Sequence, residues 1–368
     1  MNTKHFLRKL PSCLLGAIFV AGVASTTVVN AIDGNPPGFF ELEGNTADGA
    51  AAGTDWDALY GGATPANMIT FTGITADPAP QTIYWKGGSK DINDVTQWWY
   101  KDGSVPDKDD ITNAYAAAFN NPADVCQDGS GMAVLCSDAS AVGDPVHKAG
   151  DLIVYFGLDR YANDGDAFAG FWFFQDDVGL NGTSQFDGQH VGRRPDPNDP
   201  SKTLPGDVLV LVEYPQASGA HPEIKVYEWD PLDMDHDNVA SNLDLLITQS
   251  NAECDGTGGK LACAISNLDD LPGAPAWPYT PKSGSGLPFE SFFEGGINVT
   301  RLLGSTPCFA SFLAETRASR SETATLKDFV IDEFPVCGID VEKDCAANLN
   351  TAGDAIEVSF FGTLKNPV

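Results

Sequence analysis

What most limits the fold of this chain is a series of short apolar runs cut apart by turn-forming residues. Residues 151–157 (DLIVYFG), 169–174 (AGFWFF), Val208–Tyr214 (VLVLVEY) and 224–229 (IKVYEW) are rich in β-branched and aromatic side chains. Residues 243–248, 261–266, 309–315, 326–331 and 356–364 continue the series. Between them stand clusters such as Asn163-Asp164-Gly165-Asp166 and Pro195-Asp196-Pro197-Asn198-Asp199-Pro200. Runs of this length, bounded in this way, read as strands. A parallel α/β fold would need helices between the strands, and the pattern offers none. The expectation is an all-β chain: a two-sheet antiparallel β-sandwich of jelly-roll, concanavalin-like type. One stretch departs from it. Ile111–Asn120 (ITNAYAAAFN) has helical spacing, with Asp109 or Asp110 in place to cap the free N–H groups, and predicts one short helix. Val299–Leu303 predicts one further helical turn.

Residues 1–31 have the three parts of a secretory signal: Lys4, Arg8 and Lys9, an apolar stretch over 14–23, and Val29-Asn30-Ala31 as the small-residue cleavage site. A membrane anchor needs about 20 apolar residues, and this run is shorter. Cys13 precedes the apolar stretch instead of following it, which argues against lipidation. The expected organisation is a signal peptide over 1–31, a β-sandwich over 32–336 and a C-terminal β-tail over 337–368, in a secreted protein. Seven cysteines then remain. Cys126 with Cys136 and Cys254 with Cys263 each frame a glycine-rich turn, and Cys308 with Cys337 flank two strand-like runs. Zinc would require CxxC or HxxxH spacings that do not occur, so disulfides are expected, with Cys345 left over.

Charge bears on function. Lys+Arg 21 against Asp+Glu 51 gives −30, and loss of the three leader cations makes it −33. A nucleic-acid binder needs clustered cations that are missing here. Oxygen-rich loops instead suggest calcium, which takes six to eight hard ligands. Asp233, Asp235 and Asp237 alternate, with Asp244 eleven residues after the first, echoing a calcium loop. Asp159, Asn163, Asp164 and Asp166 form a second candidate, and Asp107, Asp109 and Asp110 a third. The competing readings are solvated acidic turns, or an acidic surface suited to saline surroundings. Trp98 and Trp99 are candidate sugar-stacking residues, although alternation along a strand sends half of any aromatic run into a core. Catalytic patterns are poor. There is no GxSxG elbow, and Glu41 and Glu43 alternate with Thr46 where a glucanase-like strand would need a third acid.

Several strings resemble the N-terminal module of large bacterial surface proteins. They are Gly87-Gly88-Ser89-Lys90-Asp91 with Trp98, Lys101 to Asp110, Asp159-Arg160-Tyr161 through Asp166, and Gly170 to Gln175. Cys308, Ser311 to Arg317, and Lys327-Asp328-Phe329 complete the set. The resemblance covers about 39–337. It implies a lectin-type β-sandwich of undetermined function, commonly followed by prealbumin-like repeats in adhesin-like chains, with no catalytic residues to carry over. Residues 337–345 and 356–366 look like the opening strands of such a repeat, whose second strand would pair with the main domain or with another molecule.

Together these readings predict an exported, calcium-binding β-sandwich acting as an adhesive module toward a glycan or a surface or matrix protein. It would have no nucleic-acid partner, no membrane span, and a C-terminal strand available for self-association. The alternatives are a polysaccharide-active hydrolase or lyase on a jelly roll, and a self-assembling extracellular subunit.

Overall fold

The computed structural model describes residues 40–47, 53–77, 82–87, 89–217, 219–232, 242–273 and 275–337, and the backbone of 340–349 and 356–365. In chain order the principal strands begin with β1 (Met68–Phe71), β2 (Thr75–Ala76), β3 (Thr82–Tyr84), β4 (Tyr100–Asp102) and β5 (Ile111–Asn120). Then come β6 (Leu152–Arg160), β7 (Ala167–Phe174), β8 (Val208–Tyr214), β9 (Glu223–Trp229) and β10 (Leu243–Ser250). β11 (Ala262–Ser266), β12 (Phe292–Asn298), β13 (Ser311–Arg317) and β14 (Leu326–Glu333) complete the body. The smaller sheet runs β1-β5-β6-β12-β11, with β2 also paired to β5. The larger runs β10-β9-β8-β7-β13-β14-β3-β4. The pairings are antiparallel, and the two sheets form the expected sandwich.

Side-chain alternation builds three apolar layers from these two sheets. Between the sheets lie Ala114, Ala116, Val154, Phe156, Phe171, Phe173, Val210 and Phe312. Outside the smaller sheet, Tyr115, Phe119, Tyr155 and Phe292 pack under Phe40, Trp56 and Trp277. Outside the larger sheet, Trp172, Leu209, Leu211 and Leu313 pack under Trp98, Val178 and Phe186. Both sheets are thus covered on both faces. That explains why β7 and β8 read as unbroken apolar runs where a one-faced sheet would alternate.

The helix expected over Ile111–Asn120 is instead strand β5, paired to β6 along its length. Tyr115 and Phe119 are four apart, as on a helix, yet Tyr115, Ala117 and Phe119 also share one strand face. Ala114, Ala116 and Ala118 on the other face fill the tight space between the sheets. Alanine's helix preference amounts to tenths of a kcal/mol per residue, and burial on two faces outweighs it. Helices are found at α1 (Trp56–Tyr60), capped by Asp55, and at α2 (Val299–Leu303). In α2 the Asn298 side chain accepts from the Arg301 N–H, and Gly304 closes the end in the left-handed region at φ 73°.

The bridges Cys126–Cys136, Cys254–Cys263 and Cys308–Cys337 are all formed. Beyond the last, β15 (Asp340–Leu349) and β16 (Ile356–Lys365) pair with each other as a two-stranded ribbon. The tail strand therefore finds its partner within the tail, not in the main sheets. Cys345 sits on β15, whose side chains are outside the described structure. The proposed leader, residues 1–31, also lies outside the described residues.

Candidate metal centre

At one rim of the sandwich, three chain segments from the two sheets deliver a carboxylate each. Asp77 follows β2, and its N–H donates to Thr112 O on β5 (3.0 Å). Asp110 immediately precedes β5 and is held by Tyr161 N–H donating to its carbonyl (2.9 Å). Asp328 is on β14, at an inward-facing position two residues before the core residue Val330. One carboxylate oxygen from each lies within 4.8 Å of the others. Calcium–oxygen bonds of 2.3–2.6 Å allow two ligands of one ion to stand up to about 5 Å apart, so the three can share a cation.

The electrostatics of the group are unusual. Asp328 is fully buried, and its Oδ2 accepts from Ile111 N–H (2.8 Å) while Oδ1 has no hydrogen-bond partner. Both oxygens of Asp77 are likewise buried without one, the Thr82 amide facing them without completing a bond. Burial, and then the charge of Asp110, pushes Asp77 up to about 7. Burial, and then the charge of Asp77, holds Asp328 well above the usual carboxylate range. Buried carboxylates in this state either keep a proton or take a cation. An all-oxygen set selects a hard ion of the calcium, magnesium or manganese class.

The sequence-predicted acids meet different fates. Asp110 is in this centre. Its neighbours are not: Asp107 pairs with Lys282 (3.0 Å), and Asp109 is half-buried on the preceding 3₁₀ turn. The Asp159–Asp166 loop is not brought together. Asp159 is buried on β6, accepts from Asn113 Nδ2 (2.9 Å) and Trp277 Nε1 (2.8 Å), and is pushed up to about 7 by burial. Asn163 donates to Phe289 O (2.8 Å), Asp164 pairs with Lys282 (3.2 Å), and Asp166 accepts from the Gln216 N–H (2.9 Å). Each has its own structural task. Asp233, Asp235 and Asp237 lie outside the described residues, while Asp244 on β10 stands 3.6 Å from Arg193. Asp77 and Asp328 were missed by loop-centred reading, because neither belongs to an acidic loop. An acid sharing the inward parity of Val330 on a buried strand was the available signal for Asp328.

Trp98 cannot stack on a sugar. It is fully buried, its Nε1 donates to Lys90 O (3.0 Å), and its ring meets Trp172 at 6.1 Å. Trp99 is half-buried, with the Lys86 ammonium 3.0 Å from its ring centroid; neighbouring Trp85 is 44% exposed. Elsewhere a cavity of about 460 Å³ opens beside the β8–β9 turn, lined by Tyr214, His221, Glu253, Ile265, Phe289 and Glu290. That volume suits a small ligand.

No family model, curated protein or solved structure matches the chain. Among the described residues no helix is long and apolar enough to cross a membrane, and the three disulfides are compatible with an extracellular protein.

Proposed function

We propose that this is an exported, calcium-binding β-sandwich that serves as an adhesive module, holding a glycan or a surface or matrix protein. The observation that supports the metal is the Asp77–Asp110–Asp328 group, with buried carboxylate oxygens that no donor satisfies. The ion joins the strand-like edge after β2, the entry to β5 and the inward face of β14, and so ties one sheet to the other at the rim. The surface features that support recognition are the exposed Trp85 and the cavity beside the β8–β9 turn. Export rests on the leader-like residues 1–31 and agrees with three disulfides. The test is thermal unfolding in chelator and in calcium, followed by a glycan-array screen under both conditions. Calcium should raise the melting temperature of the native protein by more than that of Asp328→Asn. Identical melts of the native protein in both conditions would refute the metal reading.

A further inference from the structure

A second set of acids meets where residues 40–43 lie alongside residues 53–55. Glu41 N–H donates to Thr54 O (2.8 Å), and Phe40 bridges to Thr54 in parallel. That pairing sets Glu41 and Glu43 beside Asp55, with one carboxylate oxygen of each within 4.8 Å of the others. Asp55 is fully buried. Its Oδ1 caps α1 by accepting from Trp56 N–H (2.6 Å), and its Oδ2 has no hydrogen-bond partner. Gly53 makes the space: a Cβ there would stand 2.7 Å from Glu41 Oε1. Glu294 closes the back of the site, its two oxygens accepting from Gly44 N–H (2.7 Å) and Trp56 Nε1 (2.9 Å). Glu43 is exposed and leaves the mouth open to solvent. Burial, and then the charge of Glu294, holds the Asp55 carboxyl well above its ordinary range.

We propose that Glu41, Glu43 and Asp55 bind a second hard divalent cation of the calcium class, independently of the Asp77–Asp110–Asp328 centre. Three carboxylates supply half or fewer of the six to eight oxygens calcium takes, so water completes the shell through the open side. The cation takes up the unpartnered Asp55 Oδ2, and it fixes the 40–47 segment against the outer face of the smaller sheet. Trp56 follows Asp55 directly, which gives the site its own optical reporter.

Terbium, which occupies calcium sites and emits when a nearby indole is excited, is the probe. The native protein should show tryptophan-sensitised terbium emission that excess calcium displaces. Asp55→Asn should abolish it, while Asp328→Asn should leave it intact, which separates this site from the rim centre. Because Asp55 also caps a helix, Glu43→Gln is the second variant. It alters an exposed side chain and should weaken terbium about tenfold, since affinity follows ligand charge, without changing the metal-free melt. Absence of sensitised emission from the native protein, or emission that survives both Asp55→Asn and Glu43→Gln, would overturn the proposal.

Discussion

Asp91 and Glu315 are as deeply buried as Asp328, yet the two regions solve the same electrostatic problem differently. On the outer face of the larger sheet, Arg317 Nη2 lies 2.6 Å from Asp91 Oδ2, both side chains at most 1% exposed. Trp172 Nε1 donates to Asp91 Oδ1 (3.0 Å), and the Tyr84 hydroxyl donates to Glu315 Oε2 (3.1 Å). Burial, and then the charge of Asp91, keeps the Glu315 carboxyl well above its ordinary range, with the charge of Arg317 acting the other way. Gly170, opposite Glu315 in register, leaves room for its side chain: a Cβ would sit 2.5 Å from Oε1. At the rim, by contrast, the charges acting on Asp77 and Asp328 are those of other aspartates, with no arginine or lysine among them. The outer-face network carries its own cation, Arg317, although Glu315 Oε1 and Arg317 Nε and Nη1 make no hydrogen bond. The rim group has no such cation within reach, and on our proposal a proton or a metal supplies the missing positive charge.

The largest expected effect tests the self-contained side of this contrast. Arg317→Leu leaves Asp91 buried without its cation, and breaking a buried pair by removing one partner costs about 3–5 kcal/mol. Urea unfolding should show that loss equally in calcium and in chelator. A loss below about 1 kcal/mol, the scale of an exposed pair, would mean that the network is not the neutralised unit described. Next in size is calcium itself. At free calcium 100-fold above its dissociation constant, binding to the native state alone adds about 2.7 kcal/mol per site. Asp328→Asn should remove the rim centre's share of that gain while costing little in chelator, because the amide adds no buried charge and its oxygen can still accept from the Ile111 N–H.

The pH dependence sharpens the comparison further. Asp77 titrates near 7 in the folded metal-free protein, and Asp328 is shifted in the same direction. An unfolded aspartate titrates at about 4. Between those values the folded state holds more protons than the unfolded one, so this contribution to stability is complete below about pH 4 and is lost as pH rises toward about 7. Asp159, also pushed up to about 7, acts in the same sense. Calcium bound as proposed should flatten the part of the decline due to Asp77 and Asp328, leaving that of Asp159. Unfolding curves at pH 5 and 7.5, with chelator and with calcium, give the difference directly. Parallel curves would mean that the rim aspartates do not exchange protons for metal.

Much of the sandwich was legible because β-branched and aromatic runs between Gly, Pro and Asp clusters leave little choice, as 208–214 and 326–331 illustrate. Residues 111–120 were misread because alanine is ambiguous. Its small side chain suits a helix by propensity and a tight inter-sheet layer by size, and only the neighbouring strands decide. Local cysteine pairs were legible for a related reason, since short loops limit their partners. The rim centre was legible in one residue of three. Asp110 sits in a dense acidic stretch, whereas Asp77 reaches it through the β2–β5 pairing and Asp328 from a strand more than two hundred residues further along the chain, beyond any spacing rule.

The smallest effect concerns that acidic stretch and its neighbouring loop. Lys282 stands between Asp107 (3.0 Å) and Asp164 (3.2 Å), with its side chain 44% exposed. Exposed ion pairs of this kind are screened and hold two flexible side chains in place for little return. Lys282→Ala should therefore leave the urea midpoint within experimental error, and Asp164→Asn should leave calcium affinity unchanged. Both outcomes follow from the same distinction: an acid that faces water and a lysine has no unmet demand, whereas Asp328, enclosed among aspartates, does. If Asp164→Asn weakened calcium binding as strongly as Asp328→Asn, charge density at the surface, and not burial without a donor, would be what draws the metal.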